Sequence, residues 1–373
     1  MPNPNAVVAL VLRIDPPLDR PLGDDRGFTI ELEGERRARI EAGDRNAGGF
    51  ARILDGLRQL RRPVYLEIDP TSSVITRLLI PTVTRVAGIR PIDDGVVGIE
   101  LELSHARHLL RRNAPDAADL EKLLRDAIRT QMPVVVTETD SHEIIDVRPN
   151  TFAPDGEIPH FPRPEFPARV PWSIEWIKYL WWRLWSWHCW PWWWFRCLSA
   201  SRAQQVFDAM ATTSCNPLTV PSPCIPFLYP DDGCWGRASE MCRLMLNMSL
   251  SPRKVWIQGS LHANTKNNPN CQIFWNWHVA PTLCVRGPKF FETQQMVIDP
   301  SLFTTPVSQA AWKGVQGDPN ASLTPSAASI FYLWGSITDP GYVQTNQVLA
   351  TYRLQLQNRS LLPGGPPPYA NCP

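Results

Sequence analysis

All nine cysteines of this 373-residue chain stand at or after position 189, and that partition constrains the fold more than any other feature. Cys189, Cys197, Cys215, Cys224, Cys234, Cys242, Cys271, Cys284 and Cys372 share the second half, while the first 188 residues carry none. Such a density favours disulfides there, and an odd count leaves one free, reactive thiol over. Disulfides would place that half in an oxidising compartment, outside the cell. The N-terminus conflicts with this. MPNPNAVVALVLRIDPPLDRPLGDD lacks a basic leader, its apolar run is broken by Arg13 and Asp15, and no small-residue cleavage site follows, so it does not read as a secretory signal peptide. The length exceeds what one compact core ordinarily serves. Lys plus Arg (37) balances Asp plus Glu (36), so no charge excess directs the chain to nucleic acid or anionic lipid.

The cysteine-free half repeats itself. GFTIELE (27–33) and VVGIELE (96–102) are alternating, strand-like runs that end in the same four residues. Downstream of each, ILDGLRQLRRPVYLEIDPTSSVITRLL (53–79) aligns with LLRDAIRTQMPVVVTETDSHEIIDVR (123–148). Each copy predicts a helix, a proline stop at Pro63 or Pro133, a strand, a polar turn and a second strand. Residues 1–148 therefore read as a duplicated α+β module, with copies at about 26–82 and 95–148. Chance likeness between two common αββ units is the alternative. His105, His108 and His142 lie apart on polar stretches and read as solvated surface.

Residues 149–198 form a junction. PNTFAPDGEIPHFPRPEFPARVP holds seven prolines in 23 residues, which forbids regular helix and favours a stiff, extended linker. Then WIKYLWWRLWSWHCWPWWWFRC, Trp176 to Cys197, packs nine of the sixteen tryptophans into 22 residues. A spanning helix needs about 20 apolar residues, and Glu175, Lys178, Arg183, His188 and Pro191 interrupt this one. Two readings remain: contact with a membrane surface, where an indole is both apolar and a donor, and docking on the rest of the chain. Cys189 and Cys197 are spaced to close a small loop around Pro191.

From residue 199 three stretches carry chemistry. In FLYPDDGCWGRASEMCRLMLNM (227–248) a Pro-Asp-Asp-Gly turn precedes a predicted helix, so Cys234 opens that helix. Unpaired N–H groups and the helix dipole there favour thiolate over thiol, and can receive an oxyanion. QIFWNWHVAPTLCV (272–285) reads as a strand with His278 near its middle, and QMVIDPSLF (295–303) as a strand ending at Asp299. A nucleophilic cysteine needs a base, and the base needs an acceptor to fix its tautomer. By spacing alone the set competes with a core cysteine, a core histidine and an Asp-Pro turn.

YPDDGCWGRASEM closely resembles the cysteine-helix signature of the protein-glutaminase family, secreted bacterial enzymes that deamidate glutamine side chains in proteins. WNWHVA and VIDPSLF resemble that family's His and Asp strands, in the same order. AQQVFDAMATTSCNPLTVPSPCIPFLYP and QGSLHANT extend the likeness over roughly 200–310, and GFARILDGLRQLRRPVYLEIDPTSSVITR resembles the family's pro-region. The resemblance implies a catalytic domain at 199–373 and a papain/transglutaminase-like α+β core, with Cys on a helix N-terminus and His and Asp on an antiparallel sheet. It makes Cys234, His278 and Asp299 the catalytic residues and pairs Cys215 with Cys224. It implies protein or peptide substrates with exposed Gln, no cofactor and no metal. It also implies a pro-region that covers the cleft until an activating protease removes it. The doubled module departs from that pattern. Cys242, Cys271 and Cys284 find no partner in it, and Cys284 reads as a buried free thiol. A transglutaminase or papain-like peptidase would use the same triad, and a membrane-active protein working through the tryptophans is the alternative from another class.

Overall fold

The computed structural model describes residues 5–18, 27–154, 157–162, 197–219, 223–289 and 291–372. It is a mixed α/β structure of antiparallel sheets. Its first unit comprises β1 (Ala6–Asp15), β2 (Phe28–Leu32), β3 (Arg36–Ile40), α1 (Ala47–Gln59), β4 (Pro63–Ile68) and β5 (Ile75–Leu79). The strands pair antiparallel in the order β3-β2-β1-β4-β5. Alternation buries Phe28, Ile30 and Leu32 on one face of β2, and α1 lays Ala51, Ile53, Leu54 and Leu57 against that layer. Each such aliphatic side chain removed from water contributes about 1.5–3 kcal/mol.

The second unit comprises β6 (Thr82–Thr84), β7 (Val86–Pro91), β8 (Val96–Leu101), β9 (His108–Arg111), α2 (Ala117–Thr130), β10 (Val134–Glu138) and β11 (Ile144–Pro149). Two three-stranded sheets, β11-β10-β6 and β7-β8-β9, share a core with Leu120, Leu124 and Ala127 of α2. Within the two units, β2-β3-α1-β4-β5 and β8-β9-α2-β10-β11 run in the same order, with one strand more before the helix than the sequence pattern predicts. The helices end short of the prolines: a left-handed residue, Arg61 or Gln131, turns the chain first. Pro63 then opens β4, and Pro133 precedes β10.

The third unit comprises α3 (Ala200–Ala211), α4 (Cys234–Asn247), β12 (Arg253–Asn264), β13 (Gln272–Arg286), β14 (Thr293–Val297), β15 (Val307–Ser308), α5 (Gln309–Gly314), β16 (Ser322–Ala327) and α6 (Val343–Leu361). Its sheet is antiparallel throughout, in the order β15-β14-β13-β12-β16. The C-terminal helix α6 packs on α4 and also reaches the first unit. Leu354 and Leu361 stand over Gly56 and Gly49 of α1, and Gln355 and Asn358 donate to the carbonyls of Ile80 and Leu78.

The linker is not a free spacer where it is described. Ile158 and Phe161 are buried, and the Phe161 ring stacks on Tyr332 at 4.5 Å. The proposed membrane contact of Trp176–Cys197 lies outside the described residues, apart from Cys197 itself. Among the described residues no helix is long and apolar enough to cross a membrane. Disulfides join Cys197–Cys284, Cys215–Cys224 and Cys271–Cys372. Two expectations are thereby corrected. Cys284 is not a free thiol, and Cys197 cannot close a loop with Cys189, because a parallel bridge between Leu198 and Val285 brings Cys197 onto β13. Among the described cysteines, Cys234 and Cys242 are free.

Candidate active site

Cys234 is the first residue of α4, and Gly233 before it is left-handed (φ 77°). Only glycine serves there, since a Cβ would stand 2.3 Å from the Tyr352 ring on α6. The buried Arg237, one turn into the helix, folds back to donate to the carbonyls of Tyr229, Pro230 and Asp232. These bonds fix the turn that presents the cysteine.

Strand register brings His278 and Asp299 together. Thr282 pairs with Val297, so the ladder continued by two residues sets Asp299 opposite Ala280, on the face that His278 shares. The Asp299 Oδ2 atom accepts from His278 Nε2 at 2.9 Å and from Trp312 Nε1 at 2.9 Å. Asp299 Oδ1 accepts from the Ser301 N–H. The His278 ring stacks between Trp275, at 4.5 Å, and Trp312, at 5.4 Å. Asp299 lies two residues past β14 rather than on it.

The structure therefore brings the three expected residues into one buried site, and a fourth that was not expected. His105, read from sequence as solvated surface, is fully buried in the cleft. Its ligating atom, Cys234 Sγ and a ring nitrogen of His278 lie within 4.8 Å of one another. The connection between β8 and β9 carries it in along the edge of β13. Asn276 N–H donates to the His105 carbonyl at 2.9 Å, and Arg107 N–H donates to the Phe274 carbonyl at 3.2 Å. Ala106 bridges antiparallel to Trp275. The His105 Nδ1–H donates to the Trp277 carbonyl at 2.8 Å, and its backbone N–H donates to Asp232 Oδ1 at 3.2 Å. Arg107 completes the hold, donating to Ser260 Oγ and to the Trp275 carbonyl. The available signal was an absence. ELSHAR joins two strands without Gly, Pro, Asn or Asp, the residues of solvated turns.

His108 and His142 are corrected likewise. Both are buried and both pair with Glu138: His142 Nδ1 at 2.9 Å, and His108 Nδ1 more closely still. His108 Nε2 contacts Ser104 Oγ at 2.8 Å, and His142 Nε2 stands 3.7 Å from Asp231 in the turn before Cys234. Asp231 also pairs with Arg359 of α6, which in turn holds Asp140 at 3.0 Å. This chain of charges joins the second unit to the nucleophile turn. Burial works against the charge on His142, but Glu138 and Asp231 override it and hold its pKa well above the ordinary value. Burial likewise works against charge on Glu138 and Asp231, and their cationic neighbours hold both well below the usual carboxylate range.

In this closed arrangement the cysteine is not the activated thiolate that its helix position predicts. Burial pushes the Cys234 thiol well up, and Asp232 adds to this against Arg237. Burial also lowers His278, against the pull of Asp299, and lowers His105 further. Beneath the second unit, burial favours the neutral forms of the thiol and of both imidazoles.

A thiol at a helix start, beside a carboxylate-bound imidazole on an antiparallel sheet, is the equipment of a cysteine-centred acyl-transfer enzyme. Residues 203–316 match a family model described as glutaminase. Among solved structures, the crystal structure of pro- protein-glutaminase is 22% identical, covers 79% of this chain and 99% of its own, and superposes with a TM-score of 0.50. The NMR structure of protein-glutaminase from Chryseobacterium proteolyticum is 29% identical over 40% of this chain and 84% of its own, with a TM-score of 0.36. No curated protein sequence matches the chain.

Proposed function

We propose that the protein is a protein-glutamine glutaminase, converting Gln side chains of proteins to Glu with release of ammonia. The observation that carries this reading is the convergence of Cys234 with the His278–Asp299 pair inside the stretch that matches the glutaminase model. Cys234 thiolate attacks the γ-carboxamide carbon, and N–H groups at the start of α4 receive the oxyanion. His278, as imidazolium, gives its proton to the departing ammonia, leaving a γ-glutamyl thioester. It then takes a proton from water, which hydrolyses the thioester. Asp299 fixes the tautomer and supports the charged ring. The helix–sheet core that carries this set is papain/transglutaminase-like in its parts, and the two N-terminal units are read as one duplicated module.

The chain as it stands is a zymogen in this proposal. The 103–107 segment occupies the position beside β13 that an extended substrate would take, and His105 fills the place above Cys234. A protease cutting within 163–196 would separate the covering half from the catalytic half while leaving Cys197 tied to Cys284. The three disulfides accord with work outside the cell. Ammonia release from a Gln-containing protein should disappear in Cys234→Ala and His278→Ala of the cleaved enzyme. Asp299→Asn should retain folding but lose activity by about 10³–10⁴-fold. Release that persists in a folded Cys234→Ala protein rules the assignment out. Cross-linking or chain cleavage in place of ammonia release would instead identify a transglutaminase or a peptidase.

A further inference from the structure

Two imidazoles of the closed cleft are arranged as metal ligands are. His278 donates Nε2–H to Asp299, so its Nδ1 carries the lone pair. His105 donates Nδ1–H to the Trp277 carbonyl, so its Nε2 carries the lone pair. A histidine that ligates a metal almost always gives its outer N–H to a carboxylate or a backbone carbonyl, which fixes the inner nitrogen as donor. Both inner nitrogens, His105 Nε2 and His278 Nδ1, are buried without a hydrogen-bond partner. The Asp232 carboxylate, 3.4 Å from His105 Nε2, makes no hydrogen bond with it. Cys234 supplies a free sulfur within 4.8 Å of a ring nitrogen of each histidine.

The other convergent cluster shares these features only in part. In His108, Glu138 and His142 the two Nδ1 atoms are already spent on Glu138, and His108 Nε2 is bonded to Ser104. His142 Nε2 is also without a hydrogen-bond partner, but it faces the Asp231 carboxylate at 3.7 Å, so this cluster leaves one ring nitrogen open where the cleft set leaves two.

We propose that His105, Cys234 and His278 form a site for one borderline-soft divalent cation of the Zn²⁺ type, and that the cation locks the zymogen shut. Two imidazoles and a thiolate suit such an ion, with bonds of about 2.0–2.3 Å and donors about 3.3–3.6 Å apart. Closing the present separations to those values requires a contraction of at most about 1.5 Å. Binding forms an M–S bond, breaks the S–H bond and releases the proton to solvent; no electron is transferred. Because His105 belongs to the covering half and the other two ligands to the C-terminal half, the ion ties the halves together and takes the sulfur lone pairs from chemistry. Its binding needs only the geometry; its inhibitory consequence rests on the reading of Cys234 as nucleophile.

The test uses the uncleaved chain with Co²⁺ as a spectroscopic probe and Zn²⁺ as competitor. One equivalent of Co²⁺ should produce a thiolate-to-cobalt charge-transfer band that one equivalent of Zn²⁺ removes. Cys234→Ser should abolish the band, His105→Gln should weaken binding at least tenfold, and His108→Gln should leave it unchanged. No band in the wild-type chain overturns the proposal whatever the variants do, and so does a band that survives in Cys234→Ser or binding indifferent to His105→Gln. Ammonia release by the cleaved, metal-free enzyme is measured separately. Metal binding without any such activity would overturn the enzymatic reading and spare the site.

Discussion

At the residue scale, the site was legible in the sequence where chemistry and local structure coincide. Cys234 follows a turn and opens a helix, His278 sits in an aromatic strand, and Asp299 ends another; each position could be read from its neighbours. His105 could not, because its role arises from a segment docking 129 positions away in sequence from Cys234. No local period records that contact. The same blindness led the thiol to be read as activated. The helix start favours thiolate, but the cover removes water from it, and burial dominates. The pH dependence of closure follows from these groups. Burial holds His105 well below its ordinary value, so its support for the closed form is complete above about pH 6.5 and is lost as pH falls. His142 has the opposite sign: held well above, it supports closure fully below about pH 6.5, and that support is lost as pH rises through the raised value. Glu138 and Asp231, held low, contribute in full above about pH 4. The thermal midpoint of the intact chain should therefore be highest near neutrality and fall on both sides. His142→Gln should flatten the alkaline limb.

At the scale of single elements, hydrophobic period and punctuation foretold both N-terminal helices and most strands. Pro63 opens β4 and Pro133 stands just before β10, each beyond a left-handed residue that has already turned the chain out of its helix. What the sequence could not show is why one glycine stands just before α4 and another inside it. Gly233 and Gly236 face α6 so closely that a Cβ would stand 2.3 Å from Tyr352 and 2.5 Å from Val348. Gly233 is also left-handed, so Gly233→Ala adds backbone strain of about 1–3 kcal/mol to that collision. Urea unfolding should show a loss of at least this size, with activity falling as the cysteine turn shifts. Gly34→Ala, also at positive φ but with open space around it, should show the strain alone. The disulfides were legible only in part. The short Cys215–Cys224 loop came from resemblance, whereas Cys197–Cys284 and Cys271–Cys372 close 87 and 101 positions and need the fold to bring them together.

At the scale of the whole molecule, the N-terminal and C-terminal halves are firmly joined. The segment at His105, the charge chain from His108 to Arg359, and the stacking of Phe161 on Tyr332 all cross the boundary. The helix α6 crosses it most completely. It belongs to the C-terminal unit, yet it seats Leu354 and Leu361 on α1 and gives Asn358 and Gln355 to carbonyls of the first unit. A protein freed of its cover would leave that helix with one flank undressed, its leucines wet and its amides without acceptors. If the chain is the zymogen proposed above, its N-terminal half would be a folding mould as well as a plug, shaping a surface that cannot remain bare once the mould is gone. After cleavage, dye binding to exposed apolar surface should rise in step with separation of the halves. In a chain carrying Leu354→Gln and Leu361→Gln that rise should be small. On that reading the mature enzyme would emerge with an adhesive flank on α6, made by its former contact with α1.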